Sequence, residues 1–179
     1  METEELFEQL TGLLLKVTPQ VQAMPPAEAD VDVTGALRFF DTGPYRLAQI
    51  IQLRALALCG TASSIGSAGN RAVAAMACAA ASPGRIVDLS SPAEEASFLR
   101  PRAVQDLHGA GPATARALSR YGLHTIGAVA DVPLGTLQRI LGAAQGRLIH
   151  DRARGRDDRP VSPGGCPPLP LRPLGLSPG

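Results

Sequence analysis

The feature that most constrains the fold is a glycine-containing turn between two short apolar segments near residue 110 of this 179-residue chain. The pattern is Val104-x-x-Leu107-x-Gly109-Ala110-Gly111-Pro112-x-Thr114-Ala115-x-x-Leu118. Its Val/Leu spacing predicts two short helices, over residues 101–107 and 113–120, that each bury one face. The glycines permit positive φ and close approach of the backbone to a ligand. Pro112 suits the first turn of the second helix, where its missing donor does no harm.

This turn predicts an anion-binding site. Exposed backbone amides at the start of the second helix bind phosphate without reading the bases, and arginines on that helix can pair with flanking phosphates. The pattern resembles the helix-hairpin-helix motif of many DNA repair and replication proteins, which implies contact with the DNA backbone. The alternative is that Gly-x-Gly only joins two core helices. The predicted DNA-binding residues are Gly109, Ala110, Gly111, Ala113, Thr114, Arg116 and Arg120.

The distribution of charge favours the same interpretation. Residues 1–99 contain six Lys/Arg and eleven Asp/Glu, whereas residues 100–160 contain ten Arg and five Asp, although the whole chain has a net charge of only +1. A basic second half suits a phosphate-binding surface. Aromatic residues make up 3% of the chain and Trp is absent, which argues against a base-stacking platform for single strands. Recognition of a duplex backbone is therefore favoured.

Helical and strand-like patterns alternate before the turn, whereas the region after it is wholly helical in pattern. The expected helices before residue 100 span 4–17, 45–58 and 70–81, with another opened by Ser91 or Pro92, and the expected strands span 30–34, 61–65 and 85–89. This alternation predicts a small α/β layer. After the turn, Gly122 suits a left-handed helix stop and Thr125 an N-cap, with helices expected over 126–131, 134–141 and 143–152.

The last twenty residues have a third composition, with seven Pro and four Gly. Such a segment is expected to be disordered or extended. Pro167-Pro-Leu-Pro170 resembles a polyproline ligand, although a linker is the preferred interpretation. The predicted division is 1–98, 99–160 and a tail over 161–179.

Composition also excludes several classes of protein. The longest uncharged apolar run, residues 72–81, falls far short of the roughly 20 residues that a bilayer requires, so no membrane partner is expected. The acidic start of the chain does not resemble a signal peptide. Three cysteines without CxxC spacing argue for a reducing cytoplasm and against a disulfide framework or zinc site. His108, His124 and His150 have no ligand at metal-binding spacing.

Over residues 4–161 the sequence resembles the Y-family, or translesion, DNA polymerases. Four parts of the sequence carry the likeness. They are Asp32-Val-Thr-Gly35; Ile65-Gly-Ser-Ala-Gly-Asn70-Arg71; the hairpin together with Tyr121-Gly-Leu-His-Thr-Ile-Gly127 and 130–133; and Arg152-Ala-Arg-Gly155-Arg-Asp157-Asp-Arg-Pro-Val161. The resemblance implies an α+β fold: a partial palm-like α/β layer followed by an all-helical, helix-hairpin-helix thumb-like domain. Asn70 and Arg71 are then the expected nucleotide-binding residues.

The family's catalytic carboxylates are incompletely represented. Its phosphoryl transfer uses two Mg²⁺ ions held by acidic side chains, including the Asp and Glu of a Ser-x-Asp-Glu motif. Pro25-Pro-Ala-Glu28 aligns with that motif, so Glu28 remains as the residual catalytic and metal-binding residue and Ala27 replaces the Asp. The strand that carries the family's first carboxylate is expected upstream of Met1, and Ala75 replaces a triphosphate-directed Lys.

Two other carboxylates need an explanation. Asp30 and Asp32 alternate with Glu28 at i, i+2 and i+4, so all three are expected on one face of a strand. That face has the oxygen ligands for a hard cation, but a solvated polar face is the favoured interpretation because half-buried strands normally show one. We therefore expect no productive Mg²⁺ binding.

Three functional hypotheses follow. The first is a truncated, catalytically degenerate Y-family homologue that binds DNA backbone non-specifically in repair or translesion synthesis, with other repair or replication proteins as further partners. The second is an active DNA-directed DNA polymerase, completed by N-terminal residues or by another chain. The third, with little support, is an interaction module that uses the Pro-rich tail.

Overall fold

The computed structural model describes residues 3–163, so the predicted tail lies almost entirely outside the described residues. The strands among them are β1 Val21–Met24, β2 Glu28–Val31, β3 Ile65–Ser67 and β4 Ile86–Asp88. The helices before residue 100 are α1 Thr3–Leu15, α2 Thr34–Phe39, α3 Pro44–Cys59, α4 Arg71–Ala80 and α5 Pro92–Leu99. The helices after it are α6 Pro112–Ser119, α7 Ile126–Ala130, α8 Leu134–Leu141 and α9 Ala143–Ala153.

The four described strands form two separate two-stranded sheets. Strands β1 and β2 are an antiparallel hairpin in which Val21 faces Val31 and Met24 faces Glu28. Strands β3 and β4 are parallel, with Ile65 beside Ile86, and α4 makes the crossover between them. The α+β class is confirmed, with the predicted alternation of helix and strand divided between two small sheets.

The sequence prediction for the strands needs three corrections. It missed β1, because Pro25-Pro26 was interpreted as a break in the chain, whereas these prolines lie in the turn of the β1–β2 hairpin. The strand expected over 30–34 ends at Val31, and α2 begins at Thr34. The strand expected over 61–65 instead begins at Ile65.

The helices of the first part pack against these sheets. Leu14 of α1, Val21 of β1, Ala36 of α2 and two residues of α3, Leu47 and Ile51, form one buried cluster. The N-cap of α4 is Asn70, whose side chain accepts a hydrogen bond from the Val73 amide at 3.1 Å. A capping box at Ser91 and Glu94 begins α5, close to where the sequence placed its start.

The first helix of the predicted hairpin, over 101–107, is wrong. Only a 3₁₀ turn forms there, at Val104–Asp106. The backbone around this turn pairs instead with the segment before α7. The Val104 amide donates to the His124 carbonyl at 2.9 Å, and the Ile126 amide donates to the Arg102 carbonyl at 2.9 Å. These hydrogen bonds hold Ala103 extended, so an α-helix cannot run through it.

The other secondary-structure predictions for residues 113–152 are confirmed. Gly122 adopts φ +74°, and the Thr125 side chain caps α7 by accepting from the Ala128 amide. Leu118, Ile126, Val129, Leu137 and Ile149 are fully buried. Their cluster also includes Val73 and Met76 of α4 and Leu99 of α5.

A close helix crossing positions α9. A Cβ on Gly146 would lie 2.5 Å from the Gln138 Cα of α8, so only glycine permits this approach. None of the helices within residues 3–163 is both long and apolar enough to cross a bilayer.

Candidate nucleic-acid interface

The turn before α6 presents backbone amides at a helix N-terminus. Gly109 adopts φ +95°, and the Ala110 amide closes the turn by donating to the Leu107 carbonyl at 2.9 Å. Gly111 is the N-cap, and its carbonyl accepts from the Ala115 amide. Within residues 3–163 no group accepts a hydrogen bond from the amides of Gly111, Ala113 and Thr114. These amides therefore remain available to an external anion.

The seven predicted DNA-binding residues occupy different positions in this turn. Gly109, Gly111 and Ala113 are exposed, and Ala110 and Thr114 are partly buried. Because its amide closes the turn, Ala110 supports the geometry rather than offering a donor. Contact between these seven residues and DNA stays a prediction.

A residue that the sequence analysis missed holds this turn. The Gln145 side chain donates to the Gly109 carbonyl at 3.1 Å and to the Thr114 hydroxyl at 3.3 Å. It thereby joins the first turn of α9 to the first turn of α6. Ile149 and Arg152, which are buried, follow Gln145 at i+4 and i+7, so Gln145 lies on the same face of α9. This helical spacing is the sequence signal that could have identified Gln145. A polar residue on the buried stripe of a helix requires a hydrogen-bonding partner.

Two arginines extend the basic surface beyond the turn. Arg116 on α6 and Arg120 at its C-cap are both exposed, and their i, i+4 spacing places them on one face. No carboxylate of residues 3–163 lies within ion-pairing distance of either side chain. Both guanidinium groups can therefore pair with external phosphates.

Two acids of the second half of the chain are paired with other arginines. Asp131 pairs with Arg100 at 2.8 Å, and Asp157 pairs with Arg152 and Arg159. Burial alone would raise the pKa of Asp157, but hydrogen bonds from Arg159 and Arg152 outweigh it and hold that pKa well below its usual range. Asp157 is thus ionised at neutral pH and pairs with Arg152 near the end of α9 and with Arg159 beyond it, not with Arg116 or Arg120.

His108 adjoins the turn but adds no positive charge. Burial lowers the pKa of its imidazole, and the charges of Arg152 and Arg159 lower it further. Its Nε2 lies 3.4 Å from Nη2 of Arg159. The neutral ring is therefore a neighbour of the basic surface rather than a part of its charge.

The three predicted carboxylates of the β1–β2 hairpin differ in exposure and in hydrogen-bonding partners. Glu28 is exposed at the start of β2. Asp30 accepts from Nη2 of Arg71 at 2.6 Å and from its Nε at 2.9 Å. Asp32 lies beyond the strand, where its carboxylate accepts from the Thr34 amide at 2.9 Å. That hydrogen bond lowers the pKa of Asp32.

These residues do not fit a two-metal site. Ala27 supplies no side-chain oxygen at the position that the resemblance assigns to the family's Asp, and the guanidinium of Arg71 already pairs with Asp30. A cation beside Asp30 would also meet the charge of Arg71. Residues 3–163 contain no group of three or more His, Cys, Asp or Glu arranged to hold a metal ion.

The two predicted nucleotide-binding residues connect α4 to the segment that follows α9. The Asn70 side chain donates to the Gly155 carbonyl at 2.8 Å. Nη1 of Arg71 donates to the Pro160 carbonyl at 2.9 Å. Both side chains therefore have intramolecular partners, and their contact with a nucleotide stays a prediction.

Comparison with known proteins gives concordant matches. A family model described as the thumb domain of DNA polymerase iota matches residues 105–157. The DNA polymerase IV of Streptomyces coelicolor is 36% identical over 159 residues, which cover 87% of this chain and 33% of that protein. The DNA polymerase IV of Halorhodospira halophila is 33% identical over 155 residues, covering 87% and 43% of the two chains.

The fold matches solved structures over almost the same range. DinB from Sulfolobus solfataricus superimposes with a TM-score of 0.75 at 22% identity, over 90% of this chain and 47% of that one. An insertion ternary complex of Dbh DNA polymerase gives a TM-score of 0.77 at 22% identity, over 89% and 46% of the two chains. The chain thus spans less than half the length of the relatives it matches. Sequence relatives, thumb-domain match and shared fold together show that the chain is similar to the Y-family DNA polymerases over most of its length.

Proposed function

We propose that this chain binds duplex DNA non-specifically through its sugar–phosphate backbone, as a Y-family polymerase-like protein in repair or translesion synthesis. The observation that carries the proposal is the row of unpartnered amides at Gly111, Ala113 and Thr114, beside the exposed guanidinium groups of Arg116 and Arg120. Residues 99–160 would be the DNA-binding domain and residues 1–98 a palm-like domain. We place this activity in the cytoplasm, with other repair or replication proteins as further partners.

The chemistry of these donors favours phosphate over bases. Amides at a helix N-terminus and the positive end of the helix dipole both attract an anion. Hydrogen bonds to a charged group contribute about 1.5 to 3 kcal/mol each, and they carry no base information. Affinity should therefore be independent of sequence and should fall steeply with salt.

The structure makes Gly111→Val the sharpest test of this proposal. Gly111 has φ −69°, and a Cβ there would meet nothing within 4 Å, so valine is compatible with the fold. Its branched side chain would nevertheless obstruct the amides that follow. We expect duplex affinity, measured by fluorescence anisotropy at low salt, to fall by at least about tenfold, as the loss of one charge-assisted hydrogen bond predicts.

A matched control distinguishes obstruction from a general helix effect. Gly135 is an exposed glycine in the first turn of α8, another eight-residue helix, and it also has open space around its Cβ position. Gly135→Val should leave DNA affinity unchanged. Unchanged affinity in Gly111→Val would contradict the proposed interface. Gly109→Val is less informative, because φ +95° would strain any other residue there.

We also propose that the described part of the chain lacks nucleotidyl transfer of its own. The support is Ala27 at a carboxylate position and the pairing of Asp30 with Arg71, since phosphoryl transfer requires metal ions between anionic ligands. Primer extension with Mg²⁺ and four nucleotides should yield no product. Templated incorporation that Glu28→Ala abolishes would instead favour an active polymerase completed by N-terminal residues or another chain.

A further inference from the structure

An open apolar groove lies at the edge of the β1–β2 hairpin. It has a volume of about 320 Å³, and its walls include Val17, Pro19, Ala36 and Phe39, with Asp32 at its rim. The Phe39 ring is 82% exposed and lies edge to face with Phe40, at a centroid distance of 5.0 Å. An aromatic ring exposed beside a groove is the surface on which polyproline helices dock.

The described chain ends close to this groove. The Ser162 amide donates to the Gln22 side chain on β1 at 3.2 Å, and Pro160 is held by Arg71 beside Asp30 on β2. Residues 160–162 thus follow the face of the hairpin that carries Gln22 and Asp30. Gln20 and Asp32 are the next residues of that face, and both line the groove. The distance from Gln22 to Gln20 along a strand is only about 7 Å.

The sequence after Ser162 has the composition that such a groove accepts. Pro167, Pro170 and Pro173 recur every three residues, which is the period of a polyproline helix. Arg172 is the single charged residue of 164–179, and it complements Asp32, whose hydrogen bond from the Thr34 amide lowers its pKa. At ~3.1 Å per residue, the eight residues after Ser162 reach about 25 Å. This length exceeds the distance of about 7 Å from Gln22 to Gln20, which lines the groove.

We propose that the chain's own segment 167–173 docks in this groove, with its prolines against Phe39 and Arg172 beside Asp32. The tether makes the encounter intramolecular, so a weak contact suffices to keep the groove filled. The segment that the sequence analysis assigned to a linker thereby becomes an intramolecular ligand. This inference is independent of the proposed DNA interface.

Fluorine NMR on the full chain tests it, because the protein contains only four phenylalanines. With 4-fluorophenylalanine incorporated, Phe39→Leu assigns the Phe39 signal, and the shift between H₂O and D₂O reports its contact with solvent. We expect a small solvent shift for Phe39 in the full chain. Pro170→Asp combined with Pro173→Asp should raise it to that of an exposed ring, while buried Phe7 stays unchanged and confirms folding.

One control variant and a dilution series keep the interpretation unambiguous. Ser177→Asp combined with Gly179→Asp adds the same charge outside segment 167–173 and should leave the Phe39 signal unchanged. A fully solvent-exposed Phe39 in the full chain, or a signal indifferent to the proline changes, would overturn the proposal. So would shielding that disappears on dilution, because the occupant would then be the tail of a second copy.

Discussion

The two proposed sites of this molecule depend on different kinds of chemical group, because the β1–β2 hairpin presents side chains and the turn before α6 presents backbone. In the β1–β2 hairpin, position 27 carries an alanine and Asp30 is paired with Arg71. In the turn before α6, the donors are main-chain amides, which every residue except proline supplies. A surface built from amides survives substitution as long as the turn keeps its geometry, whereas a metal site does not survive the loss of its oxygens.

The parts also differ in what holds them together. The turn depends on Gln145 and on the buried cluster around Leu118 and Ile126. The hairpin is held partly from outside its own sheet, through Arg71 to Pro160 and Gln22 to Ser162. The segment after α9 therefore belongs structurally to both parts.

The largest expected effect comes from the ion pairs in that shared segment. In Asp157→Asn, the buried guanidinium of Arg152 loses its counter-charge; the two side chains are 5% and 1% exposed. Breaking a buried pair costs about 3 to 5 kcal/mol, so the free energy of unfolding, measured with urea at pH 7, should fall by that amount. Asp131→Asn removes an exposed pair with Arg100 and should change it little.

The pH dependence of the free energy of unfolding gives an independent check on the pair between Asp157 and Arg152. Because the pKa of Asp157 is lowered in the folded state, its contribution is present above the unfolded pKa of about 3.9 and is lost as the pH falls through the folded value. The difference between wild type and Asp157→Asn should therefore be smaller at pH 3 than at pH 7. A constant difference would mean that packing, not charge, stabilises this segment.

Two glycines test whether the parts are independent. A Cβ on Gly146 would collide with the α8 backbone, and a Cβ on Gly66 would collide with the backbone of α4. Each alanine variant should lose about 3 kcal/mol of stability in urea unfolding, the upper end of ordinary overpacking. Only Gly146→Ala, which displaces α9 and Gln145, should also weaken duplex binding. Equal loss of binding in Gly66→Ala would argue against a separate DNA-binding domain over 99–160.

The smallest effect concerns Arg116 of α6 and Arg120 at its C-cap. Each phosphate contact adds about 0.9 to the magnitude of the slope of log K against log salt. Arg116→Ala and Arg120→Ala should each reduce that magnitude by about this amount, for all DNA sequences alike. Arg54→Ala, which removes an exposed arginine of α3, should leave the slope unchanged; an equal effect there would reduce the interface to net charge.

Local patterns predicted well where the cause was local. Thr125 caps α7 as predicted, because a cap needs only an amide two or three residues away. Asn70 and Ser91, which the sequence placed at the starts of helices, are N-caps as well. The left-handed φ of Gly122 is another case of this kind. The strand bounds were less accurate, since pairing partners distant in sequence decide where a short strand begins and ends.

The sequence by itself determined the glycine turn, the excess of arginine after residue 100 and the absence of a carboxylate at position 27. Tertiary structure alone decided that Ala103 pairs with Thr125 before α7, that the Gln145 side chain holds the turn before α6, and that Asp30 is paired with Arg71. The physical reason is the separation in sequence between the groups that interact. Chirality, capping and side-chain charge are properties of a few consecutive residues, whereas each of those three contacts joins residues more than twenty positions apart and exists only once the chain has folded.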